Sequence, residues 1–248
     1  MTSCIVEKFK FYTHLSKDEE NLLKKLEDKK IEYKQGERIR GKGDGFEDIY
    51  IMHSGWAYVS SKLDRGIRSI FDIRMEGDFV GIAELSFDRR LYDFYALEDT
   101  VVCPFPKKYL DDVLGKSDNL RDTFFTMLSR EQAIAYERMI SLGRRTATEK
   151  IAHFICELSL RIGMKGMKAN KEFLFPMRQE HIADILGMTS VHVSRTMKML
   201  KNNNYIDYDR TSMRIVDPDK LMGLAQFTPE FLLSPKIMDY GDQGNPRD

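Results

Sequence analysis

The chain has 248 residues, with 39 Lys and Arg against 39 Asp and Glu, 42% hydrophobic residues and three Cys. Every run of about 20 residues is interrupted by charges, so none is suited to cross a bilayer. Cys4, Cys103 and Cys156 form neither a disulfide framework nor a CxxC pair, which speaks against a structural zinc site, and a net charge of zero argues at first against nucleic acid. Met1 to Lys8 lacks the basic-then-apolar order of a secretory signal, so the expected setting is the cytoplasm, with no membrane partner.

Residues 15–30 predict a short helix, with Ser16 as N-cap, Glu19 three positions on, and Leu22, Leu23 and Leu26 on one face. From Ile31 to about Tyr109 the pattern changes to short apolar or alternating runs at 48–52, 56–59, 67–73, 78–81 and 100–103. Gly36, Gly43, Gly45, Gly55, Gly66 and Gly77 separate them, as in a compact antiparallel barrel or roll.

A helix follows from about Asn119 to Leu142, free of Pro and Gly. Two sevenfold series run through it, Leu128, Ala135, Leu142 and Phe125, Gln132, Met139. Leu120, Phe124, Met127 and Ile134 widen the stripe beyond what one small roll requires. That favours a helix pairing with a second copy, Gln132 being a polar seam residue, over one packing only on its own domain. Gly143-Arg144-Arg145 interrupts the pattern, and Thr146 and Glu149 form a capping box for a helix burying Ile151, Phe154, Ile155, Leu158 and Ile162. A domain boundary near residues 142–146 accounts for both. Residues 163–172 read as a polar loop, and Phe173–Phe175 as a brief strand ended by Pro176.

Residues 178–201 divide at Gly187 into two short helices. The first buries Ile182, Ala183 and Leu186; the second is capped by Thr189 and buries Val193, Met197 and Leu200. A Gly turn with a small residue in the first helix is what two helices crossing at close range require, a helix-turn-helix. The outer face of the second helix presents Ser190, Val191, Ser194, Arg195 and Lys198. Arg195 can fork onto guanine N7 and O6, the serines can reach bases or phosphates, and Val191 can touch a thymine methyl. Arg178, Gln179, Thr189, His192, Lys198, Lys201 and Arg210 complete the expected DNA-contacting set, the lysines as phosphate contacts. Residues 205–208 and 213–216, joined by a polar turn, form a hairpin and make the unit a winged helix. The neutral total also conceals an asymmetry: residues 141–220 hold 14 Lys and Arg against nine acids, a charge of +5, which leaves −5 elsewhere.

With these motifs assembled, the sequence resembles a Crp/Fnr-type bacterial transcription regulator over nearly its whole length. Gly36-Glu37, Ile49–Gly55 and Glu76–Gly81 resemble that family's cyclic-nucleotide-type β-roll; Leu120–Leu142 looks like its dimerisation helix; Arg178–Arg195 matches its helix-turn-helix. Phe227–Leu232 resembles a tail seen in some members. The resemblance implies an α+β fold with a sensor β-roll and N-terminal helix over 1–115, a dimerisation helix over 116–143, a winged helix-turn-helix over 144–225 and a tail over 226–248. It implies a homodimer reading a palindrome in double-stranded DNA, with RNA polymerase as a further partner. The expected interface comprises Leu120, Phe124, Phe125, Met127, Leu128, Gln132, Ala135, Met139 and Leu142. A competing reading is a ligand-binding module acting on a protein partner. An enzyme is not expected, because the five His lack metal-ligand spacing and neither a phosphate-cradling Gly loop nor a nucleophile elbow occurs. No catalytic residue and no metal site is assigned.

The effector side departs from the family. Members that bind cyclic AMP carry Gly-Glu and then Arg-Ser or Arg-Thr; here Gly81 precedes Ile82 and Ala83 before Glu84, and Arg90 is followed by Leu91. Gly81, Glu84 and Arg90 remain the candidate effector pocket, with cyclic AMP disfavoured for want of phosphate donors. An iron–sulfur cluster is excluded within one chain because Cys4 stands alone, and haem is disfavoured because neither His14 nor His53 has a neighbouring Cys-x-His. Cys156 is expected to pack inertly rather than sense redox state. Many members place Glu where Val191 stands, so the Glu contact to cytosine is lost, whereas Ser194 and Arg195 match the Fnr-like branch.

Overall fold

The structure, a computed structural model, describes residues 3–63, 66–163 and 172–233. Nearly all of the expected 163–172 loop and most of the expected tail lie outside the described residues. The chain divides into two units, residues 1–125 and 126–248.

The first unit opens with α1 (Cys4–Lys10), too short for its periodicity to show in the sequence. The Ser3 side chain accepts from the Val6 amide at 3.3 Å and so starts the helix. In α2 (Lys17–Lys24) the expected capping box is present, the Ser16 amide donating to Glu19 Oε2 at 2.8 Å and the Glu19 amide to Ser16 Oγ at 3.3 Å. A 3₁₀ turn, Lys25–Glu27, follows. The strands are β1 (Ile31–Tyr33), β2 (Arg38–Arg40), β3 (Asp48–Ser54), β4 (Ala57–Lys62), β5 (Arg68–Arg74), β6 (Phe79–Val80), β7 (Asp93–Ala96) and β8 (Thr100–Pro106). They form two antiparallel sheets, ordered β1-β8-β3-β6 and β2-β7-β4-β5. Ile39, Tyr50, Met52, Ala57, Val80, Phe94, Ala96 and Val102, drawn from both sheets, make the core of the roll. Burying each of the larger ones contributes about 1.5–3 kcal/mol. Gly55 joins β3 to β4 at φ +79, where a Cβ would lie 2.6 Å from the Asp99 carbonyl, so the turn admits only glycine. The roll expected from the sequence is thus present, with β1, β2 and β7 added as strands too short to signal themselves.

After α3 (Lys107–Lys116), α4 runs from Asp118 to Arg144 over 27 residues, roughly 40 Å at 1.5 Å per residue. It continues through Gly143 and Arg144, so of the expected Gly143-Arg144-Arg145 interruption only Arg145 lies outside the helix. A single Gly costs about 1 kcal/mol relative to Ala in a helix, too little to end this one.

The second unit holds the C-terminal part of α4 and then α5 (Ala147–Gly163), whose capping box is as expected: the Thr146 amide donates to Glu149 Oε2 at 2.7 Å and the Glu149 amide to Thr146 Oγ1 at 3.4 Å. Next come β9 (Phe173–Leu174), α6 (Gln179–Leu186), α7 (Ser190–Asn202), β10 (Ile206–Tyr208), β11 (Ser212–Ile215) and α8 (Pro218–Ala225). The three strands pair antiparallel in the order β10-β11-β9. A 3₁₀ turn, Pro229–Phe231, brings Phe231 and Phe227 against the His153 ring, at 5.9 Å and 4.9 Å between centroids. Ile151, Phe154, Ile155 and Leu158 are buried as expected, but so are His153, Glu157 and Arg161, polar members of the same helix that its apolar periodicity leaves unmarked. Among the described residues no helix is long and apolar enough to cross a membrane.

Candidate nucleic-acid interface and effector pocket

Helices α6 and α7 meet at Gly187, which caps α6 in the left-handed region at φ 61. Thr189 then starts α7, its side chain accepting from the His192 amide at 3.2 Å. Val193, Met197 and Leu200 are fully buried against the unit, joined by Thr196, and this fixes the rotation of α7. The opposite face carries Ser190, Val191, Arg195 and Lys198, all exposed, with Ser194 half-buried at its edge. Val191 is 62% exposed, an apolar side chain offered to solvent at the tip of a helix. Arg195 and Lys198 have neither a hydrogen bond nor an ion pair among the described residues.

The remaining expected contacts divide into free and committed groups. Gln179, Thr189 and His192 are exposed beside this face. Arg178 is exposed but lies 3.7 Å from the Glu180 carboxylate. Arg210 is exposed at the tip of the wing, where Asp209 Oδ1 accepts the amides of Thr211 and Ser212, both at 2.8 Å. Lys201 differs from Lys198: its Nζ is 2.7 Å from Asp207 and donates to the Tyr208 carbonyl at 3.1 Å. The hydrogen bond to Asp207 raises the Lys201 pKa and lowers that of Asp207. Lys201 therefore fastens α7 to β10.

Along α4, the expected interface residues fall on two faces. Leu120, Phe124 and Met127 are buried within the single chain, Phe124 meeting Phe79 edge-to-face at 5.4 Å, so they serve the chain's own packing. Leu128 is half-buried. Phe125, Gln132, Ala135, Met139 and Leu142 are exposed, and Met139 is 66% so. Sequence periodicity missed Tyr136 and Ile140, also exposed on α4. Gln132 Nε2 donates to Tyr136 Oη at 2.8 Å. A strict sevenfold count drifts against the 3.6-residue helix, and a 3.6 count brings Tyr136 and Ile140 into the stripe.

The structure brings Gly81, Glu84 and Arg90 together, but as a closed cluster. Arg90 Nη1 is 2.9 Å from Glu84 Oε2, its Nη2 donates to the Asp48 carbonyl, and the guanidinium lies 4.2 Å over the Phe46 ring. Glu84 Oε1 accepts the amides of Leu91 at 2.7 Å and Tyr92 at 3.2 Å. Gly81 has φ +100, and a Cβ there would meet Arg90 Nη1 at 2.6 Å, so the glycine makes room for the guanidinium. The three cysteines are free and buried, and burial pushes the Cys156 thiol up to about 12.

Two family models match the chain: a Crp-like helix-turn-helix domain over residues 149–224 and a cyclic nucleotide-binding domain over residues 30–117. The transcriptional activator protein Anr of Pseudomonas protegens is 31% identical over 192 residues, covering 77% of this chain and 78% of that one. The fumarate and nitrate reduction regulatory protein of Vibrio cholerae is 26% identical over 216 residues, covering 87% and 86%. Among solved structures, FixK2 from Bradyrhizobium japonicum superposes with a TM-score of 0.71 at 24% identity, over 81% of this chain and 98% of that one, a likeness of fold.

Proposed function

The chain belongs to the Crp/Fnr family of DNA-binding transcription regulators, and from that premise we propose how its own residues do the reading. It is not an enzyme. It works in the cytoplasm as a homodimer whose two α7 helices enter successive major grooves of a palindromic site, about one DNA turn apart. The observation that carries this reading is the outer face of α7, where Arg195 and Lys198 are exposed and, among the described residues, without an ionic partner. Folding has left their charge unspent, and a guanine edge and a phosphate are what such groups satisfy. Ser190 and Ser194 add hydroxyls, Val191 adds an apolar contact suited to a thymine methyl, and Arg178, Gln179, Thr189, His192 and Arg210 flank the phosphates. The exposed α4 stripe of Phe125, Gln132, Ala135, Tyr136, Met139 and Leu142 pairs the two copies. The DNA-bound dimer recruits RNA polymerase.

The pocket of Gly81, Glu84 and Arg90 does not fit a cyclic nucleotide. Arg90, the cation a cyclic phosphate needs, is spent on Glu84 and the Asp48 carbonyl, and Leu91 stands where a hydroxyl is required. Three cysteines also fall short of a four-thiolate cluster within one chain.

The test is selection of bound duplexes from a random pool, followed by affinity measurements across a salt series. Arg195→Ala should weaken binding by about 1–3 kcal/mol per half-site and relax the preference at one base pair in each. Binding that is indifferent to both salt and Arg195 would overturn the reading. Light scattering should give twice the chain mass for the free protein, and a single chain's mass at micromolar concentration would remove α4 as the pairing element.

A further inference from the structure

The N-terminal helix brings a thiol to a carboxylate and an imidazole that the sequence keeps far apart. Cys4 is the first residue of α1, Glu27 ends the 3₁₀ turn after α2, and His53 lies in β3. Cys4 Sγ, a Glu27 oxygen and a His53 ring nitrogen all lie within 4.8 Å of one another. Cys4 Sγ is 3.6 Å from His53 Nδ1, and His53 Nδ1 is 3.7 Å from Glu27 Oε1. Bond lengths of about 2.0–2.3 Å around a tetrahedral ion separate its ligand atoms by roughly 3.3–3.8 Å, which is the spacing of the two pairs that include His53, while the thiol and the Glu27 oxygen stand closer, in hydrogen-bond contact. The thiol also hydrogen bonds to Glu27 Oε1 and lies 3.3 Å from the Met52 carbonyl oxygen.

From this geometry we propose that Cys4, Glu27 and His53 form a binding site for a single divalent transition-metal ion of the zinc or ferrous class. One thiolate, one carboxylate and one neutral imidazole carry two negative charges, which a divalent ion cancels. The balance matters because Cys4 is 5% and Glu27 8% exposed, and a buried carboxylate without a counter-charge is costly. A thiolate with an imidazole selects zinc or iron over magnesium and calcium, which take oxygen ligands alone. The Met52 carbonyl or a water fills the fourth position. Binding replaces the thiol proton, which leaves to solvent, and opens the close contact between Sγ and the Glu27 oxygen.

Two neighbours define the site further. The Ile5 amide donates to Glu27 Oε1 at 3.2 Å, holding that carboxylate from the outside. Lys30 Nζ is 2.8 Å from His53 Nε2, an arrangement in which the ammonium donates to Nε2 and the ring proton sits on Nδ1. With the ion on Nδ1, that proton moves to Nε2 and Lys30 swings away; it is exposed, so the swing is cheap. No spacing rule marks these residues, which is why the sequence gives no hint of the site, and it is unrelated to a four-cysteine cluster or to a cyclic-nucleotide pocket.

The experiment uses the full chain, stripped with a chelator and titrated with Zn²⁺ against a chromophoric competitor, and in parallel with Co²⁺. One ion per chain is expected, with a thiolate-to-cobalt charge-transfer band in the near ultraviolet. Cys4→Ser should abolish the band, and His53→Gln should weaken zinc binding beyond the about 10–100-fold that loss of an outer partner costs. Lys30→Met should bind at least as tightly as the parent. Cys156→Ser, which lies in the other unit, should change neither stoichiometry nor band. Circular dichroism of each variant establishes that it is folded. A folded parent that takes up no zinc, or a cobalt band that survives in Cys4→Ser, would overturn the site.

Discussion

Two arginines show how this fold allots its charge. Arg90 is buried in the β-roll, paired with Glu84, bonded to a carbonyl and stacked on Phe46. Arg195 is exposed on α7 with no ionic partner among the described residues. The first guanidinium has acceptors for Nη1 and Nη2 supplied by folding and contributes to stability. The second has them withheld, and contributes only when another molecule supplies an acceptor. A family resemblance would list both as ligand contacts; their environments give them opposite duties.

The contrast can be broken most severely at Arg90. Arg90→Met leaves the Glu84 carboxylate buried without its cation, and removal of one partner of a buried pair costs about 3–5 kcal/mol. Urea unfolding should show that loss, whereas Arg195→Ala, a surface change, should stay within about 0.5 kcal/mol of the parent. Comparable losses in the two variants would dissolve the distinction.

Buried charge in the second unit gives the next effect, through pH. Burial, and then the nearby Arg145 cation, push the His153 pKa down from 6.5 to about 4. The folded chain therefore refuses a proton that the unfolded chain accepts between those values. The contribution is fully present above pH 6.5 and is lost as pH falls toward 4. At about 1.4 kcal/mol per unit, roughly 2 kcal/mol should disappear between pH 7 and pH 5. The urea midpoint of the parent should fall over that range more steeply than that of His153→Gln; parallel curves would show that His153 is not the group concerned.

The smallest effects sharpen the comparison within α7 itself. Lys198→Ala should reduce the slope of log affinity against log salt by about 1.8, about 0.9 for one phosphate contact from each of the two chains. Lys201→Ala should leave the slope unchanged, because that cation is held by Asp207 and the Tyr208 carbonyl. Equal slopes for the two variants would mean that Lys201 exchanges Asp207 for DNA on binding.

The reading unit was legible in the sequence because its signals are local. Gly187, Thr189 and the apolar positions of α7 lie within a few residues of one another, and each has one structural meaning. The β-roll was legible as a class but not strand by strand, since β1 and β2 hold three residues each and are fixed by pairing with β8 and β7 rather than by their own pattern. Helices α1, α3 and α8 escaped notice for a related reason: at 7 to 10 residues they are marginal alone and exist because the fold packs them. Leu120, Phe124 and Met127 were assigned to a partner because periodicity reveals that a face is apolar but not what covers it. The meeting of Cys4, Glu27 and His53 was invisible, since it depends on three elements arriving at one place.

The short link between α4 and α5 has a mechanical consequence. Arg145 donates to the Glu137 carboxylate at 3.0 Å and, through its amide, to the Ser141 carbonyl at 3.2 Å, while Thr146 is locked into the α5 cap. Across the corner, Arg138 Nη2 reaches Glu157 at 2.6 Å, and Lys150 Nζ donates to the Leu142 carbonyl at 3.1 Å. Leu142 also reaches the turn of the reading pair, its Cδ2 lying 3.5 Å from where a Cβ on Gly187 would stand. With these fastenings around a two-residue link, a bend at the joint has to break several of them at once. Within this unit the end of α4 is therefore tied to the winged domain by side chains on both sides of the corner as well as by the chain itself.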